Sequence, residues 1–401
     1  MGLRCAKGVS AVLLCVFFAA VQVSAAEFEP LFCLKRSELK TDGILHYASE
    51  VGDMPTLEAL KNHPAPAHSA EFVRVRYGIL GVRGTEEEGS GLVIFPDAQG
   101  EIPVLVYNIG ATFDSRLAPS NPELCPPALV MAILFVSQGY AVVMPDYIGQ
   151  GAAATVPHPF LHRETTVNAV LGLLDAVKPA FAERGLSAGA LFMSGMSQGG
   201  WATVASVREY ERRGGAMAAA MPIAPVLDLP AMTGSCFLVR GSLEPMKPFA
   251  PWLCAKLLLS LKHVYGLDIS GMFRPGMEDL FAEKLDGAHA FTELLKTLPV
   301  SFAEIFTQQG MMQILVPDGE LKKRLKENSC VAWAAKTPFR FCIGEHDGIA
   351  RHEFIEAFAA KMRRMGASDA VVISAGPLEH NAVALSGMTR AYAWFEAMRK
   401  Q

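Results

Sequence analysis

The stretch Gly195-Met196-Ser197-Gln198-Gly199-Gly200 decides the predicted fold of this 401-residue chain. A short apolar run at 190–194 precedes it and a helical pattern at 201–210 follows it, which predicts a sharp turn from a strand into a helix. In such a turn the central residue is strained, and glycines are needed where side chains would collide. The turn presents the Ser197 hydroxyl at the positive end of the helix, so Ser197 is the predicted nucleophile.

Short apolar runs elsewhere predict the sheet to which this turn belongs. The alternating segments 72–77 and 91–95 are typical of paired strands, and 164–181 has apolar residues at helical spacing. Together they predict an α/β-hydrolase fold, with a mostly parallel central sheet flanked by helices. The predicted buried parallel strands lie at 103–107, 140–144, 190–194, 218–223, 339–343 and 370–373.

The strand pattern stops in the middle of the chain. Residues 225–336 have the character of helices and loops, so we expect a helical cap there, inserted into a core made of 27–224 and 337–401. Residues 27–70 form an N-terminal lead-in whose structure the pattern does not define. Within the cap, 247–267 is rich in large apolar residues, which either line an acyl pocket or pack the helix against its own domain.

A serine hydroxyl needs a histidine to remove its proton and a carboxylate to orient that histidine. In this fold the chain order is serine, acid, histidine. His380 lies in a loop after the last predicted strand and is the predicted base. Asp347 directly follows the strand at 339–343 and is the predicted acid, with Asp228 and Glu345 as weaker alternatives.

Two backbone N–H groups are needed to stabilise the oxyanion that forms during acyl transfer. The residue after the nucleophile, Gln198, is expected to supply one of them. The loop at 108–112, after the strand at 103–107, is expected to supply the other, and Ala111 is the candidate.

The N-terminus has the features of a secretory signal peptide. Arg4 and Lys7 precede an apolar segment at 11–23, and small residues before Glu27 provide a cleavage site. A membrane anchor is the alternative, but this segment is shorter than the roughly 20 apolar residues that span a bilayer. We therefore expect a signal peptide at 1–26 and a secreted or periplasmic protein with no stable membrane span after cleavage.

Six cysteines remain once this signal is removed. An even number of cysteines in an oxidising compartment predicts disulfide bonds, although the pairing is not defined by the sequence. They are Cys33, Cys125, Cys236, Cys254, Cys330 and Cys342.

The composition argues against several other classes of protein. The chain is 51% hydrophobic and 19% charged, which is typical of a folded domain with a large core. Its net charge is −4 and its lysines and arginines are not clustered, so nucleic acid is not an expected partner. No Cys-x-x-Cys pair occurs, and no metal site is expected.

Three motifs follow one another along the chain. They are Asp-Tyr-Ile-Gly-Gln-Gly at 146–151, His-Pro-Phe-Leu-His at 158–162, and the serine turn at 195–200. In this order and with these gaps they resemble the secretory lipase family, the lipase A-type hydrolases and their exported bacterial relatives. The similarity covers 71–223 and 339–401. It implies a Ser-Asp-His triad, a helical cap over the acyl site, and ester or lipid hydrolysis without a cofactor.

One residue departs from the family pattern. Members usually carry a histidine before the glycine of the oxyanion loop, and this chain has Ile109 there. The hydrogen bonds that support this loop are therefore in question. Asp146, His158 and His162 are expected to shape the rim of the site and pack the core, without a part in the reaction.

The leading hypothesis is an exported carboxylesterase or lipase that hydrolyses a small-molecule or lipid ester through an acyl-enzyme. A serine peptidase for small peptides is the alternative, but no acidic pair that would anchor a substrate amine is evident. A binding protein built on an impaired hydrolase is a third hypothesis. The intact Ser197, Asp347 and His380 argue against it, whereas Ile109 leaves it open.

Overall fold

The computed structural model describes residues 26–51, 53–238, 249–313 and 316–400. The predicted signal peptide therefore lies outside the described residues, apart from Ala26. The described chain contains a nine-stranded sheet flanked by helices, which confirms the predicted α/β fold class. The strands are β1 (Glu27–Leu34), β2 (Ala70–Leu80), β3 (Glu86–Pro96), β4 (Gly100–Asn108), β5 (Ala141–Pro145), β6 (Leu186–Met196), β7 (Ala219–Ile223), β8 (Phe339–Ile343) and β9 (Ala370–Ser374).

Six neighbouring strands of this sheet run parallel. They lie in the order β5, β4, β6, β7, β8, β9, and the strands β1, β2 and β3 extend the sheet beyond β5 in antiparallel pairs. The predicted pairing of the two alternating segments is confirmed, with Phe72 opposite Ile94. Because the carboxyl ends of parallel strands share one edge, the loops that follow β4, β6, β8 and β9 converge there.

Helices cover the sheet, and the inner strands are therefore apolar along their length. The core helices are α1 (Asp42–Val51), α2 (Met54–Lys61), α3 (Pro126–Leu134), α4 (Arg163–Ala176), α5 (Lys178–Glu183), α6 (Gln198–Arg212), α14 (His352–Arg364) and α15 (Val383–Arg399). The helical pattern at 164–181 forms two helices, because Pro179 begins a new one after α4. α4 packs against α6, whereas Phe135, just after α3, contacts Tyr392 and Phe395 of α15.

The N-terminal lead-in, which the sequence pattern left undefined, belongs to the core. β1 pairs antiparallel with β2, and the ring of Phe32 stacks on that of Phe72 with centroids 4.5 Å apart. α2 packs against α15, where His63 contacts the ring of Tyr392. These are contacts between residues far apart in sequence, which is why a local pattern did not reveal them.

Between β7 and β8 the described chain is helical. Its helices are α7 (Leu229–Leu238), α8 (Phe249–Tyr265), α9 (Met277–Lys284), α10 (Phe291–Thr297), α11 (Phe302–Ile305), α12 (Gln308–Met312) and α13 (Glu320–Asn328). Hydrogen bonds join this cap to the core, from Ser260 Oγ to the Phe160 carbonyl (3.0 Å) and from Trp201 Nε1 to the Asn328 carbonyl (2.9 Å). The cap limits of 225–336 remain a prediction. Among the described helices, none is both long and apolar enough to cross a membrane.

The six cysteines that were predicted to form disulfides are free thiols in the structure. Most of them are buried and pack as small apolar side chains, while Cys33 is exposed. Cys236 of α7 and Cys254 of α8 are both buried, and their thiols lie within hydrogen-bonding contact of each other. The structure therefore does not contain the predicted disulfides, although it brings this pair of sulfur atoms together.

Candidate active site

The turn after β6 holds Ser197 in a strained conformation. Its φ is 58° and its ψ is −113°, and its N–H donates to the carbonyl of Ile223 at 2.8 Å. A Cβ on Gly195 would lie 2.5 Å from the carbonyl oxygen of Gly199, and one on Gly199 would lie 1.9 Å from that of Asn108. Both glycines are therefore required, by clashes within the turn and with the end of β4.

The loops after β8 and β9 bring Asp347 and His380 to the nucleophile. Nε2 of His380 lies 2.8 Å from Oγ of Ser197, and Nδ1 lies 2.7 Å from Oδ2 of Asp347. The other carboxylate oxygen, Oδ1, accepts from the N–H groups of Ile349 (2.9 Å) and Ala350 (2.8 Å). Since the carboxylate only accepts, Nδ1 carries the imidazole proton and Nε2 is left to accept from the serine hydroxyl. All three side chains are buried, so these bonds are shielded from bulk water.

A glycine allows the two loops to approach each other this closely. A Cβ on Gly344 would lie 2.3 Å from the carbonyl oxygen of Leu378, and the N–H of His346 donates to that same oxygen at 3.3 Å. The loop that carries Asp347 is thereby packed directly on the loop that carries His380.

The structure places the two alternative acids elsewhere. Asp228 is exposed, and its Oδ1 accepts from the N–H of Ala231 in the first turn of α7, so it caps that helix. Glu345 is also exposed and accepts from Oγ of Ser374 at 2.6 Å. Of the three candidate acids, Asp347 is the one bonded to His380.

The loop after β4 lies beside the nucleophile. A Cβ built on Gly110 would be 3.9 Å from Cβ of Ser197, and Ala111 is the next residue. Within the described ranges, the N–H groups of Gln198 and Ala111 donate to no protein acceptor. Gln198 is the first residue of α6, where N–H groups have no partner inside the helix. Both predicted donors are thus available to an oxyanion.

Two side chains hold this oxyanion loop by its carbonyl groups. The hydroxyl of Tyr147 donates to the carbonyl of Ile109 at 2.8 Å, and Nζ of Lys256 donates to that of Thr112 at 2.5 Å. The two carbonyls lie on either side of Ala111 in the chain, so the loop is supported although Ile109 stands where the lipases that the sequence resembles usually carry a histidine. Sequence reasoning missed both supports. Tyr147 lies inside a quoted motif, and the signal for Lys256 is a single cation in an apolar stretch of α8.

His158 holds the side chain of Gln198, the residue after the nucleophile. Its Nδ1 lies 2.8 Å from the carbonyl oxygen of Ile148, and its Nε2 lies 3.3 Å from Nε2 of Gln198. Because a carbonyl can only accept, Nδ1 carries the proton and Nε2 accepts from the Gln198 amide. Burial and the nearby charge of Lys256 lower the pKa of His158 to about 3, so the ring stays neutral and keeps this acceptor.

The acidic residue of the same motif anchors the core. Asp146 is buried and accepts from Oγ of Ser90 (2.5 Å) and the N–H of Ser120 (3.0 Å), and burial raises the pKa of its carboxyl. Gly151 is needed beside it, because a Cβ there would lie 1.9 Å from Oδ2 of Asp146. His162, at the start of α4, contacts Oγ1 of Thr165 at 3.0 Å.

An apolar cavity of about 340 Å³ opens beside the oxyanion loop. Its walls include the loop itself, Pro126 and Pro127 at the start of α3, and two rings from the cap, Phe249 and Phe291. These two rings stack with centroids 4.9 Å apart, and both contact the ring of Phe113 at the end of the loop. The cavity offers mainly apolar walls against which an apolar group of a bound carbonyl compound can pack.

A second cavity in the described chain lacks a candidate nucleophile–base pair of this kind. A larger cavity of about 570 Å³ lies at the opposite edge of the sheet, beside α5 and the start of β6, and no histidine or cysteine lines it. Nowhere in the described ranges do three or more histidine, cysteine, aspartate or glutamate side chains group in a way that could hold a metal ion.

No protein-family model matches the chain, and no curated protein matches it. Solved structures of similar fold do exist. A presumed hydrolase from Legionella pneumophila has a TM-score of 0.81 and 21% identity, over 94% of this chain and 98% of that chain. The ligand-bound rice cell wall degrading esterase LipA from Xanthomonas oryzae has a TM-score of 0.76 and 19% identity, over 94% and 97%. Candida antarctica lipase A has a TM-score of 0.59 and 14% identity, over 88% and 77%. At these identities the comparison concerns the fold, and this chain has the α/β-hydrolase fold of that esterase and that lipase.

Proposed function

We propose that this chain is a serine hydrolase that cleaves carboxylic esters through an acyl-enzyme on Ser197. The observation that carries the proposal is the unbroken series of hydrogen bonds from Asp347 through His380 to Ser197, at the strained turn between β6 and α6. A shared fold with an esterase and a lipase agrees with this chemistry.

In acylation, Nε2 of His380 takes the proton of the Ser197 hydroxyl as Oγ attacks the ester carbonyl. The carbonyl oxygen becomes an oxyanion, which accepts from the N–H groups of Gln198 and Ala111. The imidazolium is stabilised by Asp347, whose second oxygen is already held by two backbone N–H groups. Collapse of the intermediate breaks the bond to the alkoxy oxygen, and His380 returns its proton to the departing alcohol.

Deacylation repeats these steps with water as the nucleophile. His380 removes a proton from water as its oxygen attacks the acyl carbonyl, and the same two N–H groups hold the second oxyanion. The bond to Oγ then breaks, Ser197 regains its proton from His380, and the carboxylic acid leaves. The protein provides all of these groups, so no cofactor is required by the proposal.

The proposed acyl preference is argued from the cavity beside the oxyanion loop, whose lining includes Ala111 and does not include Ser197. Its apolar walls suit a hydrocarbon acyl group, and its volume of about 340 Å³ is at the small end of ligand pockets, which run from roughly 300 to 1,000 Å³. We therefore infer a preference for esters of short to medium acyl chains.

The experiment is hydrolysis of p-nitrophenyl esters from acetate to palmitate by wild type, Ser197→Ala and Ser206→Ala. Ser206 is a control on the same helix, because its hydroxyl is buried without a hydrogen-bond partner in the described structure. We expect Ser197→Ala to lower kcat by roughly 10⁵- to 10⁶-fold and Ser206→Ala to leave it within about 3-fold. A folded wild type that hydrolyses no ester would refute the proposal, and peptide amides would then be tested for the peptidase alternative.

We further propose that the chain is exported, and that the thiols of Cys236 and Cys254 are oxidised to a disulfide in the oxidising environment that it reaches. Each of these contacting thiols would lose one proton, and the pair would give up two electrons. The disulfide of a thiol oxidoreductase would accept both and become a dithiol. Mass spectrometry of the protein from the cell envelope would then find a chain that begins near Glu27 and a peptide pair linked through these cysteines. A full-length chain with both thiols free would contradict both statements.

A further inference from the structure

Lys256 is a buried cation without a carboxylate partner. Only 7% of its surface is exposed, and its ammonium lies 5.6 and 5.3 Å from the ring centroids of Phe113 and Phe160. It forms no ion pair with any residue in the described ranges. Burial of an unpaired charge opposes folding, and an apolar side chain of similar length would fill this space at a smaller cost. The position of this charge therefore points to a role other than stability.

The hydrogen bond of Lys256 is made to the oxyanion loop. Nζ donates to the carbonyl oxygen of Thr112, directly after Ala111 in the oxyanion loop. Lys256 belongs to α8 of the cap, whereas the second support of the loop, Tyr147, follows strand β5 of the core. The loop is thus held from the core on one side of Ala111 and from the cap on the other.

We propose that Lys256 is a positioning residue that holds the oxyanion loop so that the Ala111 N–H points at the developing oxyanion. The rate of hydrolysis then depends on the packing of α8 against the oxyanion loop. This inference rests on the proposed ester hydrolysis and deepens it.

The physical basis is the steep dependence of catalysis on the position of the donors. A displacement of about 1 Å at a reacting centre can lower the rate by roughly 100-fold. A hydrogen bond from a charged donor is roughly twice as strong as one between neutral groups, which suits an ammonium for holding a carbonyl in place.

The surroundings of Lys256 are consistent with this role. Phe113 and Phe160 present ring faces to the ammonium, which attract a cation without competing for its hydrogen bonds. The titratable neighbour His158 is neutral, and it holds the Gln198 side chain as Lys256 holds the loop. The charge of Lys256 therefore lies near the histidine that holds Gln198, while its hydrogen bond is made to the loop that carries Ala111.

The test uses Lys256→Met, Lys256→Arg and Lys262→Met. Methionine fills space without a donor, arginine keeps a charged donor, and Lys262 is an exposed lysine of the same helix, paired with Glu278. For each protein we would measure kcat and KM on a soluble p-nitrophenyl ester, Tm, and the inhibition constant of an alkyl trifluoromethyl ketone. This ketone adds to Ser197 to give a tetrahedral oxyanion, so its affinity reports on the oxyanion donors.

We expect Lys256→Met to lower kcat by about 10- to 100-fold while KM stays within about 3-fold of wild type. The inhibition constant of the ketone should rise by a factor similar to the fall in kcat. Measured below pH 7, where Lys256 carries its charge, the Tm of this variant should be unchanged or higher, since a buried charge is removed. Lys256→Arg should recover part of kcat, and Lys262→Met should match wild type. If the methionine variant does not fold, the arginine variant is compared with a glutamine variant, which keeps only a neutral donor and should be the slower of the two.

Two outcomes would overturn the inference while leaving the esterase proposal intact. One is a Lys256→Met protein with wild-type kcat. The other is a variant whose kcat and Tm fall together while ketone affinity is unchanged, which is the signature of a structural role. Failure of the esterase proposal looks different, because wild type itself would then hydrolyse no ester.

Discussion

The turn that carries Ser197 and the loop that carries Ala111 serve the same intermediate but are supported in different ways. The turn depends on its own sequence, since its glycines leave room for the backbone and the strand and helix beside it fix its direction. The oxyanion loop depends on two side chains that are remote in sequence. Tyr147 lies 38 residues from the carbonyl that it holds, and Lys256 lies 144 residues from its own acceptor.

This difference separates what is built locally from what is built by tertiary contacts. The nucleophile must project from the edge of the sheet, and a tight turn whose residues are neighbours in sequence achieves this while it packs against the ends of β4 and β7. Backbone donors must instead be aimed, which requires anchors on both sides of the loop. Mutations in the turn should therefore act on folding and on the nucleophile, whereas mutations at the anchors should act on transition-state stabilisation.

The largest effect on turnover, after loss of the nucleophile itself, should come from Asp347→Asn. The amide would favour the wrong tautomer of His380, so we expect kcat to fall by roughly 10³- to 10⁴-fold with little change in KM. Asp228→Asn is the control, because Asp228 only caps α7, and its kcat should stay within about 2-fold. Equal effects of the two variants on ester hydrolysis would remove Asp347 from the proposed triad.

Gly199→Ala tests how closely the turn must pack against the end of β4. Its new Cβ would lie 1.9 Å from the carbonyl oxygen of Asn108, and backbone cannot move aside as a flexible side chain can. We expect a loss of about 3 kcal/mol or more in the free energy of unfolding by urea, with loss of activity. Gly43→Ala, where nothing lies within 4 Å of the added Cβ, should be neutral or slightly stabilising. Similar stabilities for the two variants would contradict this view of the turn.

Tyr147→Phe tests the core anchor of the oxyanion loop. Loss of the hydroxyl leaves the carbonyl of Ile109 without its donor, so we expect kcat to fall by about 10-fold and the free energy of unfolding by about 1–3 kcal/mol. Tyr77→Phe is a matched control, because Tyr77 is also buried and donates to a backbone carbonyl at 2.8 Å, that of Ala169, away from the site. It should lose similar stability and keep wild-type kcat. A similar loss of kcat in both variants would show that destabilisation alone explains the effect.

The smallest expected effect concerns pH and the cap anchor. Burial lowers the pKa of Lys256 to about 7, whereas the pKa of an unfolded lysine is about 10.4. Between these values the unfolded chain binds a proton that the folded chain lacks, so this residue makes the free energy of unfolding rise with pH, by at most about 1.4 kcal/mol per unit. Its neighbour His158 stays neutral over this range.

The measurement is urea unfolding of wild type and Lys256→Met from pH 6 to pH 9. As the pH rises above 7, the free energy of unfolding of wild type should increase by about 1–3 kcal/mol relative to that of the variant. Below pH 7 the difference between the two proteins should stay constant. Parallel profiles over the whole range would mean that Lys256 keeps its ordinary pKa and is not buried as described.

Sequence alone could predict the features that depend on neighbouring residues. The turn at 195–200 has a local glycine pattern, and Asp347 and His380 follow short apolar strands in a fixed chain order, so these residues could be named in advance. The role of β1 could not be predicted, because its pairing with β2 joins segments separated by a helical region. Lys256 gave only the weak signal of one charge in an apolar helix. Its proposed role depends on a contact with Thr112, which no local sequence pattern encodes.

The most direct test of the central claim is covalent labelling with an alkyl fluorophosphonate, followed by mass spectrometry of the digested protein. The phosphorus is attacked by an activated serine, and fluoride leaves. We predict one adduct, on the peptide that contains Ser197, with no adduct in Ser197→Ala and much slower labelling in His380→Ala. A folded wild type that takes up no label, or an adduct on another residue that persists in Ser197→Ala, would contradict the account.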